Sequence, residues 1–453
     1  MSEELILNEI EANTEEYIEF FRELIQTDSY NPPGNEKNVA IKIEKYLANT
    51  GIESEIFPFG KNRANLIAYL NDDFAGKNLL YNGHMDVVPP GNEEEWKYSP
   101  LSANIKGSKA RRKVIGRGTV DMKSGLAAMT IALKTLKKLN LIKSGNLILN
   151  AVADEEVGGQ VGTLWCLDNL LKSKKINFAV IGEPTGLEPL SKAIIIGEKG
   201  RVAVRIITNG ISGHASVPIL GKNAIYMMSE IIQNLDRIDD FFPKIEPPLP
   251  IEKIKELISV VFPNKTVFEK ILNEQQVLQN IINANSQFTK NLTMIKGGIK
   301  SNVVPDHCEA VIDFRILPGQ TVDMVLNSLK QLINELGFEV KNEPIGLPKE
   351  IFVYLDIEYA GEASFFSGWE QSKSLNDFYT IVEKVYNKKP FYFLYPASAD
   401  AKFYRNKDFC QSTILFGPGN AQLAHTTNEN IEIKDFINAI KVYTLFAYNF
   451  LKD

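Results

Sequence analysis

Cysteine is scarce: the 453-residue chain has three, Cys166, Cys308 and Cys410, scattered and with no CxxC pair. They cannot all pair with one another, so a disulfide scaffold is excluded and a reduced, cytoplasmic setting is the simplest inference. Long hydrophobic runs are also missing. No stretch approaches the roughly eighteen apolar residues of a membrane span, so no membrane partner is implied. Basic charge is not in excess: fifty Lys and Arg against fifty-six Asp and Glu give a net charge of -6. That balance favours solubility and argues against nucleic acid or an anionic membrane as partner. The opening "MSEELILNEIEANTEEYIEFF" is acidic and amphipathic, unlike a signal peptide. No internal repeat or low-complexity tract stands out.

What is present is ordinary globular material, with 44% hydrophobic and 23% charged residues. The length points to two domains, one inserted into the other. Residues 14–27 read as a helix, and "NLIAYL" (65–70) and "NLLYNG" (78–83) as strands. In "SGLAAMTIALKTLKKL" (124–139), Leu126, Met129, Leu133 and Leu136 fall at helical spacing. "NLILNAVADEE" (146–156) and "INFAVIGEP" (176–184) are apolar runs that end in acids. Such runs between helices predict a doubly wound, mostly parallel sheet. After Lys199 the pattern changes. "GRVAVRIITNG" (200–210) and "HCEAVIDFRI" (307–316) alternate like half-exposed strands, with helical stretches at 221–236 and 321–336. The expected organisation is an α/β catalytic domain (1–196 and 359–453) around an inserted α+β lid or dimerisation domain (197–358). Within the latter, "FFPKIEPPLP" (241–250) opens a helical insertion reaching about residue 283, which either reshapes the pocket or pads the lid. The doubly wound pattern resumes with a helix at 374–387, a strand in "STILFGPG" (412–419) and a helix at 434–451.

The acid-rich strand ends carry the chemistry. His84 and Asp86 follow the strand at 78–83, and Asp121 closes "GRGTVDMKSG" before a helix. Glu155 and Glu156 end the next run, Glu183 the one after, and His425 follows "STILFGPGNAQLA". Taken alone, His84 and Asp86 read as a hydrogen-bonded pair closing a strand, and "DEE" as a solvated turn. Together they change the reading. Ligands of open α/β sheets bind beyond the carboxyl ends of the strands, where loops can gather these residues. Clustered carboxylates repel and must neutralise or bind cations. Two histidines with several Asp and Glu suit Zn²⁺, and also Mn²⁺ or Co²⁺; no cysteine in these motifs means no structural cysteine-type zinc site. Five ligands with one shared would hold two metals about 3.5–4 Å apart.

These residues also resemble a known family: the metal-dependent amidohydrolases and peptidases that include acetylornithine deacetylase, succinyl-diaminopimelate desuccinylase, aminoacylase and glutamate carboxypeptidase. The matching segments are "SYNPPGNE", "GHMDVVPPG", "GRGTVDMKSG", "ADEEVGGQVGT", "IGEPTG", "GISGHAS", "SNVVPDHCEAVIDFR" and "FGPGNAQLAHTTNE", in order from residue 29 to 429. The resemblance implies that His84 and Glu183 hold one metal, Glu156 and His425 the other, and Asp121 bridges them. It makes Glu155 the general base on a metal-bridging water and Asp86 the acceptor of the spare His84 N–H. It implies a cis peptide at Asp121–Met122, and it makes His214 an oxyanion donor supplied by the other subunit of a homodimer. Asn302 and Arg315 match positions that orient the acyl group and hold the substrate's carboxylate. Gly417 and Gly419 would offer backbone groups close to the substrate. His307 matches nothing catalytic and reads as a solvent-facing strand residue.

The implied activity is hydrolysis of the amide of an N-acyl amino acid by a zinc-dependent enzyme. A metallo-exopeptidase or dipeptidase acting on a short peptide shares every ligand and stays open. The insertion departs from the short deacetylases. An inactive homologue serving as a binding protein would be expected to have lost the base or a ligand, and here all are present. A mononuclear site also stays open. A hinge is expected between the two domains, since a donor on the lid must approach the metals.

Overall fold

The computed structural model describes residues 2–71, 74–108, 111–188, 190, 192–343 and 350–452. The apolar runs form the centre of a large mixed sheet. Its strands lie in the order Ser54–Phe59, Arg63–Tyr69, Asn146–Val152, Asn78–His84, Phe178–Ile181, Thr413–Leu415, Ala193–Glu198 and Ser364–Phe365, with Phe391–Tyr395 also beside Ala193–Glu198. The four central strands, from Asn146–Val152 to Thr413–Leu415, run parallel, and the flanks add antiparallel pairs. Asn78–His84 is buried along its whole length, which is why it shows no polar/apolar alternation.

Both faces of this sheet are covered. Tyr81 donates its hydroxyl to the Tyr443 carbonyl in the helix Ile433–Leu451, which packs with Lys123–Leu139 on that face. The neighbouring Asn82 points the other way, to Tyr404 and Thr163. Successive strand residues alternate faces, so one strand serves two helical layers.

The second sheet has the order Thr289–Gly297, His307–Ile316, Gly200–Asn209, Phe352–Gly361, Val340–Lys341. One face is apolar. Val202, Val204, Ile312 and Phe314 pack with Met228 of the helix Ala224–Gln233 and Leu329 of Val322–Glu335. The opposite face carries Arg201, Arg205, Glu309, Asp313 and Arg315, as the alternation in "GRVAVRI" and "HCEAVIDFRI" requires.

The insertion behaves differently from either sequence-based expectation. The chain leaves the second core at Phe242 and returns at Phe288, whose rings stack 4.2 Å apart. Between them the helices Ile251–Ser259, Lys265–Glu274 and Gln276–Asn285 bury Ile254, Leu257, Ile258, Phe268 and Ile282 in the core of the large sheet. Lys253 pairs with Glu370 at 3.1 Å, and the buried Lys199 ammonium donates to the carbonyls of Ala284 and Gln287. The insertion is therefore a strap from the small sheet onto the large one. The apolar stripe of its first helix decides this, because the large sheet's edge offers matching apolar surface.

Candidate metal centre

Parallel register brings the acid strand ends to one edge. His84, the last residue of its strand, lies opposite Val152, so Glu155 and Glu156 begin three residues further on beside it. On the other side Asn82 lies opposite Ile181, which sets Glu183 two residues beyond the strand end. Asp121 stands before the helix Lys123–Leu139, and the Asp121–Met122 peptide is cis. His425 arrives on the loop after Thr413–Leu415 with φ 60°.

Asp121 is shared. Its Oδ1 lies 3.1 Å from His84 Nε2 and its Oδ2 lies 3.1 Å from His425 Nε2. Glu183 Oε1 is 3.8 Å from His84 Nε2, and Glu156 Oε2 is 3.1 Å from His425 Nε2. Two triplets result, His84/Asp121/Glu183 and Asp121/Glu156/His425, each with one donor atom per residue and all three within 4.8 Å. Donors about 2.0–2.2 Å from a tetrahedral ion stand about 3.3–3.6 Å apart, so both triplets fit one divalent ion with little adjustment. Glu155 belongs to neither triplet; its Oε2 is 4.0 Å from His84 Nε2.

The electrostatics fit the same group. His84 Nδ1 lies 2.8 Å from the Asp86 backbone carbonyl, which only accepts, so Nδ1 carries a proton. Nε2 then points its lone pair at a carboxylate unless a cation, proton or metal, lies between them. Without a metal the cluster takes protons. Burial pushes Glu155 well above the usual carboxylate range, and burial together with the Asp121 charge does the same for Glu183 and, less strongly, for Glu156. Hydrogen bonding to Asp121 and Glu156 lifts His425 to about 11. At His84 burial works against the charge, but the Asp121 and Asp86 carboxylates outweigh it and hold the imidazole well above its ordinary range.

Asp86 shares its expected role with its own backbone carbonyl. Its carboxylate Oδ1 is 3.5 Å from His84 Nδ1, further than its own backbone carbonyl. It also accepts from Asn31 Nδ2 at 2.8 Å and from the Glu155 and Glu156 amides at 3.3 Å. The reason is local. After Met85, whose N–H still bonds to Val152, the chain leaves the strand ladder and Val87 bonds to Ser29, so the side-chain alternation of the strand no longer holds. Asp86 thus anchors the turn that carries Glu155 and Glu156.

A cavity of about 350 Å³ opens over the cluster. Asp121, Glu155, Glu156, Glu183 and His425 form its floor, and Arg201, Arg315 and Tyr359 reach it from the second sheet. Arg315 and Arg201 are direct cross-strand partners, both donating through Nε to Asp313, at 2.7 and 2.6 Å. Sequence reasoning found Arg315 but missed Arg201, Tyr359, Tyr395 and Ser398, all of which line the cavity. The signal for Arg201 was its outward position in "GRVAVRI", beside the strand of Arg315.

Four expected residues lie elsewhere. His214 is exposed on the short Gly213–His214/Val303–Val304 pair, with Nδ1 2.6 Å from Ser216 Oγ. Asn302 is next to it, its carbonyl accepting from Ala215. They adjoin each other but not the carboxylates. Gly417 and Gly419 do not line the cavity either. A Cβ at Gly417 would press on the carbonyl oxygens of Gly182 and Glu183, and one at Gly419, where φ is +95°, would stand 2.9 Å from Val120. Their backbone carbonyls accept from Lys192 Nζ. They allow close chain approach around the centre and do not offer groups into it. His307 is exposed, with Nε2 2.8 Å from Glu309 Oε1, as a solvent-facing residue should be.

Comparison with known proteins places this geometry. The family model of peptidase family M20/M25/M40 matches residues 80–449. The chain is 26% identical over 441 residues to a protein of Staphylococcus aureus (strain MSSA476) named "Probable succinyl-diaminopimelate desuccinylase", covering 97% of this chain and 98% of the relative. Among solved structures, an M20 family metallo-carboxypeptidase from Sulfolobus solfataricus superposes with a TM-score of 0.75 at 22% identity, covering 96% of this chain and 99% of that one. Human carnosine dipeptidase 1 superposes with a TM-score of 0.71 at 15% identity, covering 100% and 98%. At those identities the two structures speak for the fold alone.

Proposed function

This chain belongs to peptidase family M20/M25/M40, and from that premise we propose that it is a two-metal amidohydrolase that removes an acyl group from an N-acyl amino acid. The observation that carries the reading is the sharing of Asp121 between His84 and His425, at 3.1 Å on each side. His84, Asp121 and Glu183 hold one divalent ion, and Asp121, Glu156 and His425 the other, zinc first, with cobalt and manganese as alternatives. Bound there, the two ions supply Lewis acidity to the attacking water and to the scissile carbonyl.

Glu155 has the position of a general base. It is half-buried, excluded from both triplets and open to the cavity. It takes a proton from water and returns it to the departing amine. Asp86 keeps the Glu155–Glu156 turn in place through the two backbone amides. Arg315 and Arg201 give the cavity a paired guanidinium face for a carboxylate, which suits a substrate carrying acidic groups. The desuccinylase name of the relative points the same way.

Residues 1–196 and 359–453 act as the catalytic unit and 197–358 as the lid, in a cytoplasmic homodimer, with the helices between Ile251 and Asn285 strapping the lid onto the large sheet. The edge strand Thr289–Gly297 supports the dimer: Met294 and Ile295 are 61% and 58% exposed, with Tyr226 at 74% nearby in the same domain. An uncovered edge with apolar side chains is a surface for a second copy. His214, with Asn302 beside it, then reaches the neighbouring subunit's cavity as donor to the carbonyl oxygen. No helix among the described residues is long and apolar enough to cross a membrane.

The test is hydrolysis by the Zn²⁺- or Co²⁺-loaded protein of N-acetylornithine, N-succinyl-diaminopimelate, N-acetyl-methionine and two dipeptides, beside Glu155→Ala. Cleavage of an acyl amino acid that vanishes in the variant is the expected result. Cleavage of dipeptides alone would make it an exopeptidase.

A further inference from the structure

Two side chains outside both triplets connect the loops that carry Asp121 and His425. Glu429 is fully buried, four residues after His425. Its Oε1 accepts from the backbone amides of Val120 at 2.6 Å and Asp121 at 3.1 Å. Its Oε2 accepts from the Gly118 amide at 3.2 Å and from Arg117 Nη1 at 2.7 Å. Arg117, itself 2% exposed, belongs to the Asp121 loop, and the same Nη1 donates back to the Thr426 carbonyl, next to His425, at 3.3 Å. Each loop thus extends one charged side chain to the backbone of the other. The backbones also meet directly, through Gly116 N–H to the Glu429 carbonyl and the Asn430↔Ile115 pairing that follows.

We propose that Arg117 and Glu429 form a clasp that fixes the separation of Asp121 and His425, and that they are positioning residues for the metal held by Asp121, Glu156 and His425. The proposal rests on the two-metal reading above. Neither side chain lines the cavity, so neither touches substrate. A carboxylate here is specific: it meets four donors and offers none. In Glu429→Gln, Oε1 can still accept from Val120 and Asp121, but the amide nitrogen would confront the Arg117 and Gly118 donors. The side of the clasp toward Arg117 opens, and the His425 loop is left with the Oε1 contacts and the backbone pairing alone.

The experiment is titration of the metal-free protein with Co²⁺ alone, followed by calorimetry and visible absorption. Wild type is expected to bind two equivalents, and His425→Ala to lose one. Glu429→Gln should weaken that same equivalent by about 10–100-fold, the usual effect of removing a partner that orients a metal ligand, and leave the other unchanged. In a His425→Ala background Glu429→Gln should then change nothing further. Thermal unfolding of the metal-free variant checks its fold. Arg117→Lys, a smaller lesion that keeps the charge but shortens the reach, should weaken the same equivalent. Unchanged affinity in Glu429→Gln, equal weakening of both equivalents, or weakening that persists without His425 would overturn the clasp while the two-metal reading stands. A wild type that binds fewer than two equivalents would overturn that reading, and the clasp with it.

Discussion

His84 Nδ1 lies 2.8 Å from the backbone carbonyl oxygen of Asp86. Because that oxygen cannot donate, the contact fixes the tautomer and turns the Nε2 lone pair toward Asp121 and Glu183. In the metal-free protein the conflict favours protons: His425 is lifted to about 11, neighbouring carboxylates raise His84 against its burial, and burial raises Glu155 and Glu183. Metal uptake near neutral pH should therefore release protons. Calorimetry in buffers of different ionisation enthalpy measures this, and net proton uptake would contradict it.

The same shifts set how the stability of the metal-free protein depends on pH. Glu155, Glu156, Glu183, His84 and His425 all have folded-state values above their ordinary ones, so across that window the folded protein binds more protons than the unfolded one. Stability present at acid pH is then lost as pH climbs through the raised values. Asp86 and Asp121 lie below their ordinary range and act only at lower pH. The unfolding temperature of chelator-treated protein should fall between about pH 5 and pH 8. A rise over that interval would remove the buried cluster as the source.

Glu155→Gln keeps the shape of the site and removes the base. Metal content should stay at the wild-type value while turnover falls by about 10²–10⁴-fold. Metal analysis of the purified variant, run with the kinetics, separates this from loss of a ligand.

His214→Ala should also keep its metals and lose about 10²–10³-fold in turnover, the size of a missing oxyanion donor. Since His214 does not reach its own cavity, mixing inactive His214→Ala with inactive Glu155→Gln subunits should restore activity in the hybrid dimers. Mixed dimers that stay inactive would place the donor elsewhere.

Gly417→Ala forces a methyl group against the carbonyls of Gly182 and Glu183. Overpacking of this kind costs about 1–3 kcal/mol. The displaced backbone carries a ligand, so the unfolding temperature and the metal affinity should fall together. A stable variant with normal metal binding would show that the loop yields freely.

Much of this was legible from the chain alone. The short, mostly apolar segments at 78–83 and 146–153, set between helical stretches, read as buried strands, and parallel strands of one sheet bring their carboxyl ends to one edge. That places His84, Glu155, Glu156 and Glu183 together before any coordinate is known. The alternation in "GRVAVRIITNG" likewise dictates a sheet with one wet face. Other features depended on contacts between segments remote in sequence. Arg201 meets Arg315 and Asp313 because two strands more than a hundred residues apart pair in one register. The helices of the insertion chose the large core over the small one, and an amphipathic stripe specifies only that something apolar covers it. Asp86 reaches the turn amides because the ladder ends at Met85, just before it, where the strand rule lapses. Local pattern determined which groups stand at the strand ends, because periodicity and burial act along the chain; which groups they face was decided by packing, because register and docking are properties of segment pairs.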